Sequence, residues 1–114
     1  MRNQMVPRNE WPKFFDELSR RHQGSLATVR VFGPRIGSQV EARNLPLGGF
    51  VCAVGSTSTI SIHLGSAPPQ SHIEHEIDQP KQVWVEMSDE GVEEVLEVES
   101  MDGTKTMIQL TEAR

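Results

Sequence analysis

Residues 95–110, VLEVESMDGTKTMIQL, specify a β-hairpin and its register. The dipeptide Asp102-Gly103 is a strong turn signal between two alternating stretches. A two-residue loop would mix charged and apolar side chains on each face of the hairpin. A three-residue loop over 101–103 gathers the apolar side chains on one face, so we predict this register, with Gly103 at positive φ. Its cross-strand pairs are Leu96–Ile108, Val98–Thr106, Glu99–Lys105 and Ser100–Thr104.

Upstream, the apolar side chains of residues 10–23 recur with helical spacing and predict one amphipathic helix. Pro12 is tolerated in the first turn, where its missing N–H would have no helical partner. Gly24 supplies a left-handed residue that ends the helix. The predicted buried face comprises Trp11, Phe14, Phe15, Leu18 and His22.

After Gly24 the apolar pattern changes to period two, which is typical of strands. Pro46 predicts a break between the second and third strands, because proline cannot donate to a ladder. Trp84 falls on the opposite side of its strand from Val83 and Val85. Before the hairpin, the predicted strands cover residues 25–32, 38–45, 50–54, 59–64, 72–77 and 82–87.

These elements predict a single α+β domain over residues 1–114, with 1–8 as a flexible N-terminal arm. The N-terminal helix packs on a curved, mainly antiparallel sheet of five to seven strands, with a small Sm-like or SH3-like barrel as its closed form. A chain of 114 residues with 36% hydrophobic content can bury a core of its own.

The formal charge of −5 is unevenly distributed along the chain. Residues 1–56 carry a net charge of +4, and residues 57–114 carry −9. The acidic half would repel phosphates and anionic lipids, so nucleic acid and membranes are not expected partners. No apolar run reaches the length of a membrane span, and no secretory signal is recognised. The single Cys52 fits a reducing compartment, so we expect a cytoplasmic protein.

Two histidines and a glutamate lie close together in the stretch HIEHEI, residues 72–77. On a helix the two imidazoles would share a face and could bind one metal ion, whereas on a strand they point to opposite faces. The alternation favours a strand, so we expect no metal, no cofactor and no catalytic residue. A metal-dependent enzyme remains an alternative hypothesis, and its candidate ligands are His63, His72, Glu74 and His75.

Residues 86–102 hold eight carboxylates and no lysine or arginine, without the spacing of a calcium loop. Such a run is usually a solvated face, and its functional use would be to dock a protein partner. Trp84 is a second candidate, because a tryptophan off the apolar side of its strand either contacts the helix or is an exposed interface anchor. The predicted partner-binding set comprises Trp84, Glu90, Glu93, Glu94 and Glu97.

Four stretches together resemble a family of small, single-domain bacterial proteins known only as a domain of unknown function. The resemblance extends from about Trp11 to Leu110 and implies a stand-alone domain, with no catalytic residues to transfer. The stretches are WPKFFDELSRRHQG, LATVRVFGPRIGSQVEARNLPLGG, HIEHEIDQP and DEGVEEVLEVESMDGT.

The leading functional hypothesis is a non-enzymatic protein-interaction or regulatory module. It would bind an unidentified protein, or associate with itself through strand edges or through Trp84. The first alternative is a nucleic-acid-binding assembly of the Sm-like type, which rests on the order of predicted elements alone. The second is the metal-dependent enzyme with its histidine cluster.

Overall fold

In a computed structural model of the chain, residues 2–35, 37–55, 57–65 and 73–112 are described. The helix α1 is Trp11–Arg21, preceded by a short 3-10 turn at Arg8–Glu10. No helix in this part of the chain is long and apolar enough to span a membrane. The strands are β1 Arg2–Val6, β2 Leu26–Gly33, β3 Gly37–Ala53, β4 Thr59–Leu64, β5 Ile73–Asp78, β6 Pro80–Met87, β7 Glu93–Ser100 and β8 Lys105–Thr111.

The eight described strands form one antiparallel sheet in the order β1-β6-β7-β8-β2-β3-β4-β5. The structure is 63% strand and 14% helix, so the chain is an all-β protein. The predicted α+β class with five to seven strands is therefore wrong. In the described ladders β1 and β5 are the two edges of the sheet. These strands therefore form an open sheet and not the closed Sm-like or SH3-like barrel. The sequence did not predict β1, because this polar edge strand carries no alternating apolar pattern.

Strand β1 occupies most of the segment for which the sequence predicted a flexible arm. It runs antiparallel to β6, with Val6 opposite Val83. Val6 is buried, and its carbonyl accepts a hydrogen bond from the Trp11 indole N–H at 2.9 Å. These contacts hold residues 2–6 against the sheet as a paired edge strand.

Strand β3 is continuous through Pro46, where the sequence predicted a break. Its first part pairs with β2 and its second part with β4. The main chain bends between the two parts at Asn44 and Gly49, whose φ angles are 50° and 153°. Pro46 removes one donor, but its carbonyl accepts a hydrogen bond from the Gly65 N–H at 2.8 Å. The predicted break is therefore wrong, because a bend accommodates the proline without ending the strand.

The predicted helix is confirmed as α1, and Gly24 follows it with a φ of 86°. Trp11, Phe15 and Leu18 are buried against the sheet, as the spacing predicted. The ring centroid of Phe15 lies 5.3 Å from that of Phe50, beyond the bend of β3. The helix therefore covers the bent strand and closes one side of the core.

The β7–β8 hairpin has the predicted three-residue loop. Leu96 lies opposite Ile108, the Ser100 N–H donates to the Thr104 carbonyl at 2.8 Å, and Gly103 has a φ of 90°. Inward side chains from the strands on both sides of the β3 bend meet in one hydrophobic core. Its fully buried strand residues include Val29, Ile60, Ile62, Leu64, Val83, Leu96, Val98 and Ile108.

Candidate functional site

Trp84 lies on the outer, solvent-facing side of the sheet, as the alternation of β6 predicted. Val83 and Val85 are buried in the core, whereas Trp84 is only partly buried. Its cross-strand neighbours are Met5 on β1 and Glu97 on β7. Because directly opposite residues of an antiparallel ladder share a face, these three side chains are neighbours on the outer side.

The same register continues across the sheet and defines a surface that we name the outer row. Glu97 lies opposite Met107 on β8, and Met107 lies opposite Arg30 on β2. Arg30 in turn lies opposite Val40 on β3. The row spans about 24 Å, since neighbouring strands are about 4.8 Å apart. In spatial order its members are Met5, Trp84, Glu97, Met107, Arg30 and Val40.

The outer row is more apolar than the solvated face of an antiparallel sheet usually is. Met5 is 47% exposed and Val40 is 44% exposed. Phe32, on the same face of β2, is a further exposed apolar side chain. Unlike the Trp11 indole, that of Trp84 makes no hydrogen bond within the residues that the structure describes. Exposed aromatic and methionine side chains in one patch are typical of interaction surfaces.

Charges of opposite sign occupy the two halves of this outer face. Carboxylates project from β6 and β7, whereas the cations Lys105 and Arg30 project from β8 and β2. The Lys105 ammonium lies 3.8 Å from a Glu97 carboxylate oxygen in an exposed pair of little energetic value. Arg30 has no ion pair with any residue in the described ranges. The outward carboxylates are those of Glu86, Glu97 and Glu99.

Glu93 was predicted to bind a partner, but the structure places it inside the molecule. Met87 lies opposite Glu93 and Glu86 lies opposite Val95, so Glu94 is an extra residue on β7. This β-bulge changes the inside-outside alternation at the start of β7 and turns Glu93 towards α1. The Glu93 side chain is consequently only 9% exposed and faces α1.

Two side chains at the end of α1 bind the Glu93 carboxylate. Arg21 donates to Oε2, and Nε2 of His22 lies 3.0 Å from Oε1. Burial alone would raise the Glu93 pKa, but the hydrogen bonds from His22 and Arg21 outweigh it and hold the pKa below its ordinary value of 4.5. Sequence reasoning missed this cluster because it depends on the bulge.

The hydroxyl of Ser25 extends this cluster, with Oγ 3.5 Å from Nδ1 of His22. Hydroxyl, imidazole and carboxylate then stand in the order used by nucleophilic serines. The Oγ–Nδ1 distance nevertheless exceeds the 2.6–3.2 Å typical of an activated nucleophile and its base. We therefore interpret the cluster as a structural tie between α1 and β7.

A cleft of about 830 Å³ lies beside this tie. Glu90 and Glu94, from the predicted partner-binding set, line it together with Val95. Val95 is the cross-strand neighbour of Glu86, so the cleft adjoins the outer face. The predicted set is therefore split between two places. Trp84 and Glu97 lie in the outer row, whereas Glu90 and Glu94 line the cleft together with the largely buried Glu93.

The candidate metal ligands are only partly brought together. Nε2 of His63 lies 3.9 Å from a Glu74 carboxylate oxygen across the β4–β5 ladder. His75 lies opposite the buried Ile62, so it occupies the other face of the sheet. His72 lies outside the described residues. Within the described ranges, no group of three or more His, Cys, Asp or Glu side chains could hold a metal ion.

The fold and the site define a small all-β domain with an apolar, aromatic surface on the open face of its sheet. Residues 2–114 match the Family of unknown function (DUF5335), and the chain belongs to that family. An uncharacterized protein of Aquifex aeolicus (strain VF5) is 28% identical over 113 residues, which cover 99% of this chain and 96% of that protein. No solved structure matches the chain. The resemblance to a family of unknown function is thereby confirmed.

Proposed function

We propose that this protein is a non-enzymatic protein-interaction module that binds through the outer row, with Trp84 at the centre of the contact. The observation that carries the proposal is the position of Trp84 on an open sheet face beside Met5. A tryptophan supplies a large apolar contact, and its free N–H can donate to a partner. Methionine side chains adapt their shape to the surface that covers them.

The chemistry of the surface favours a protein partner over a nucleic acid. The carboxylates of Glu97 on the outer row and of Glu90 and Glu94 at the cleft would repel phosphates. The Sm-like hypothesis rested on a short helix followed by about five strands, whereas in the described residues one strand precedes the helix and seven follow it. We place the interaction in the cytoplasm, because a single cysteine cannot form an internal disulfide.

The metal-dependent enzyme is less well supported than the interaction module. Of its candidate ligands, His63 and Glu74 face each other, whereas His75 lies on the other face of the sheet. The separate His22–Glu93 pair joins α1 to β7.

Site-specific photo-crosslinking in cells that produce the protein tests the proposal. A photoreactive benzoylphenylalanine replaces Trp84 in one variant and Val51 in a control. Val51 is 57% exposed and lies on the second part of β3, outside the outer row. We expect a discrete covalent adduct from position 84 and none from position 51. Adducts from neither position, or the same adducts from both, would contradict the proposal.

A further inference from the structure

We propose that the partner of the outer row is a second copy of this chain, bound face to face about a two-fold axis. The axis runs parallel to the strands, between β7 and β8. This inference rests on the proposed function and names its partner.

The two-fold axis reverses the order of strands across the interface. Strand β7 of one copy then lies over β8 of the other, and β6 lies over β2. Sheets that pack face to face keep their strands within about 30° of each other and lie about 10 Å apart. The strand order of the outer face therefore fixes which residues meet.

Along the outer row, this arrangement places Trp84 opposite Arg30 of the second copy. The Arg30 guanidinium has no ion pair with the described residues of its own chain and can stack on the indole ring. At the ends of the row, Met5 lies opposite Val40 of the second copy. Both of these apolar side chains are exposed in the single chain. Each of these two contacts occurs twice about the axis.

Charge complementarity selects this axis. In the neighbouring row of the outer face, Glu99 and Lys105 lie opposite each other on β7 and β8. The proposed axis places Glu99 of each copy against Lys105 of the other, so that acidic and basic halves meet. An axis along the row would instead place Glu97 against Glu97, and like charges in contact oppose association.

The expected dimer is weak. A face about 24 Å wide and about 20 Å long covers roughly 1,000 Å² in total when paired, which is at the low end of specific interfaces. The association should therefore depend on protein concentration.

Sedimentation velocity of the full chain over a concentration series tests the inference through charge reversal. In Glu99→Lys and in Lys105→Glu, like charges meet at both copies of the pair, and we expect dimerisation to weaken by about tenfold or more. In an equimolar mixture of the two variants, opposite charges meet at both positions, so a heterodimer should recover the lost affinity. Trp84→Ala should weaken dimerisation by about 30-fold or more.

Unchanged far-ultraviolet circular dichroism and melting temperature would show that the two charge variants fold. A wild-type chain that stays monomeric at every concentration would overturn the second-copy inference. A position-84 crosslink to a different protein would then leave the proposed function intact, whereas no crosslink would overturn both. Dimerisation of the single variants at wild-type strength, or no recovery in the mixture, would overturn the proposed axis.

Discussion

Oε1 of Glu93 lies 3.0 Å from Nε2 of His22, joining the start of β7 to the end of α1 across 71 residues of sequence. Arg21 binds the other oxygen of the same carboxylate. The helix is thus held by an apolar contact at Phe15 and by a polar tie at its last turn. Because the His22 and Glu93 side chains are almost fully buried, they depend on each other for hydrogen bonding, whereas the Arg21 side chain is half-exposed.

Glu93→Gln should lower the free energy of unfolding by about 1–3 kcal/mol, because it replaces a buried, charge-assisted acceptor. The measurement is urea-induced unfolding at neutral pH. Glu94→Gln is the matched control, since its carboxylate makes no ion pair in the described residues, and it should change stability by less than about 0.5 kcal/mol. Equal effects of the two substitutions would contradict the assigned tie.

Stability should fall with acidification through the titration of Glu93. A carboxyl whose pKa is lower in the folded chain stabilises the fold above its ordinary value of 4.5, and this stabilisation is lost as pH falls through the lower, folded pKa. We expect the unfolding free energy of the wild type to fall more steeply below about pH 5 than that of Glu93→Gln. If the unfolding free energies of the wild type and Glu93→Gln changed in parallel with pH, Glu93 would have the same pKa in the folded and unfolded chain, which would contradict this prediction.

The two tryptophans should respond differently to truncation. Trp11→Ala removes a buried ring and the donor to Val6, and should cost about 3–5 kcal/mol. Trp84→Ala removes an outward side chain and should cost less than about 1.5 kcal/mol in the monomer. Thermal and urea unfolding at a concentration where the chain is monomeric would measure both. A larger loss for Trp84→Ala would place that ring in the core.

The hairpin loop should depend on Gly103, whose φ is 90°. Gly103→Ala should cost about 1–2 kcal/mol, since a Cβ atom is disfavoured in this region. Met101→Ala, at a 62% exposed position of the same loop, is the control and should be nearly neutral. If urea unfolding showed that both variants are as stable as the wild type, the loop geometry would be refuted.

The features that could be predicted from the sequence depend on local signals. The hairpin register follows from a turn dipeptide between two alternating stretches, and α1 follows from helical spacing with an end signal at Gly24. The outward position of Trp84 follows from period two in β6. Each signal lies within a dozen residues of the feature it specifies.

The features that could not be predicted depend on distant pairing. The polar strand β1 is defined by its ladder with β6, far along the chain, so no local pattern predicted it. Pro46 remains in a strand because the bend of β3 accommodates it, and its carbonyl is paired with the distant Gly65 N–H. Glu93 turns inward because a bulge interrupts the alternation of β7. No local sequence pattern predicts that bulge.

The position of Trp84 on an exposed surface that a second copy covers is tested by ¹⁹F NMR of the chain labelled with 5-fluorotryptophan. This label reports on Trp11 and Trp84 without removing either ring. Trp84→Phe assigns the two resonances. We expect the Trp84 resonance to sense water in dilute solution and to shift as the protein concentration rises and dimers form. The Trp11 resonance should stay constant. A Trp84 resonance that is shielded from water in dilute solution would contradict the exposed position of this ring, and one that does not move with concentration would contradict its burial between two copies of the chain.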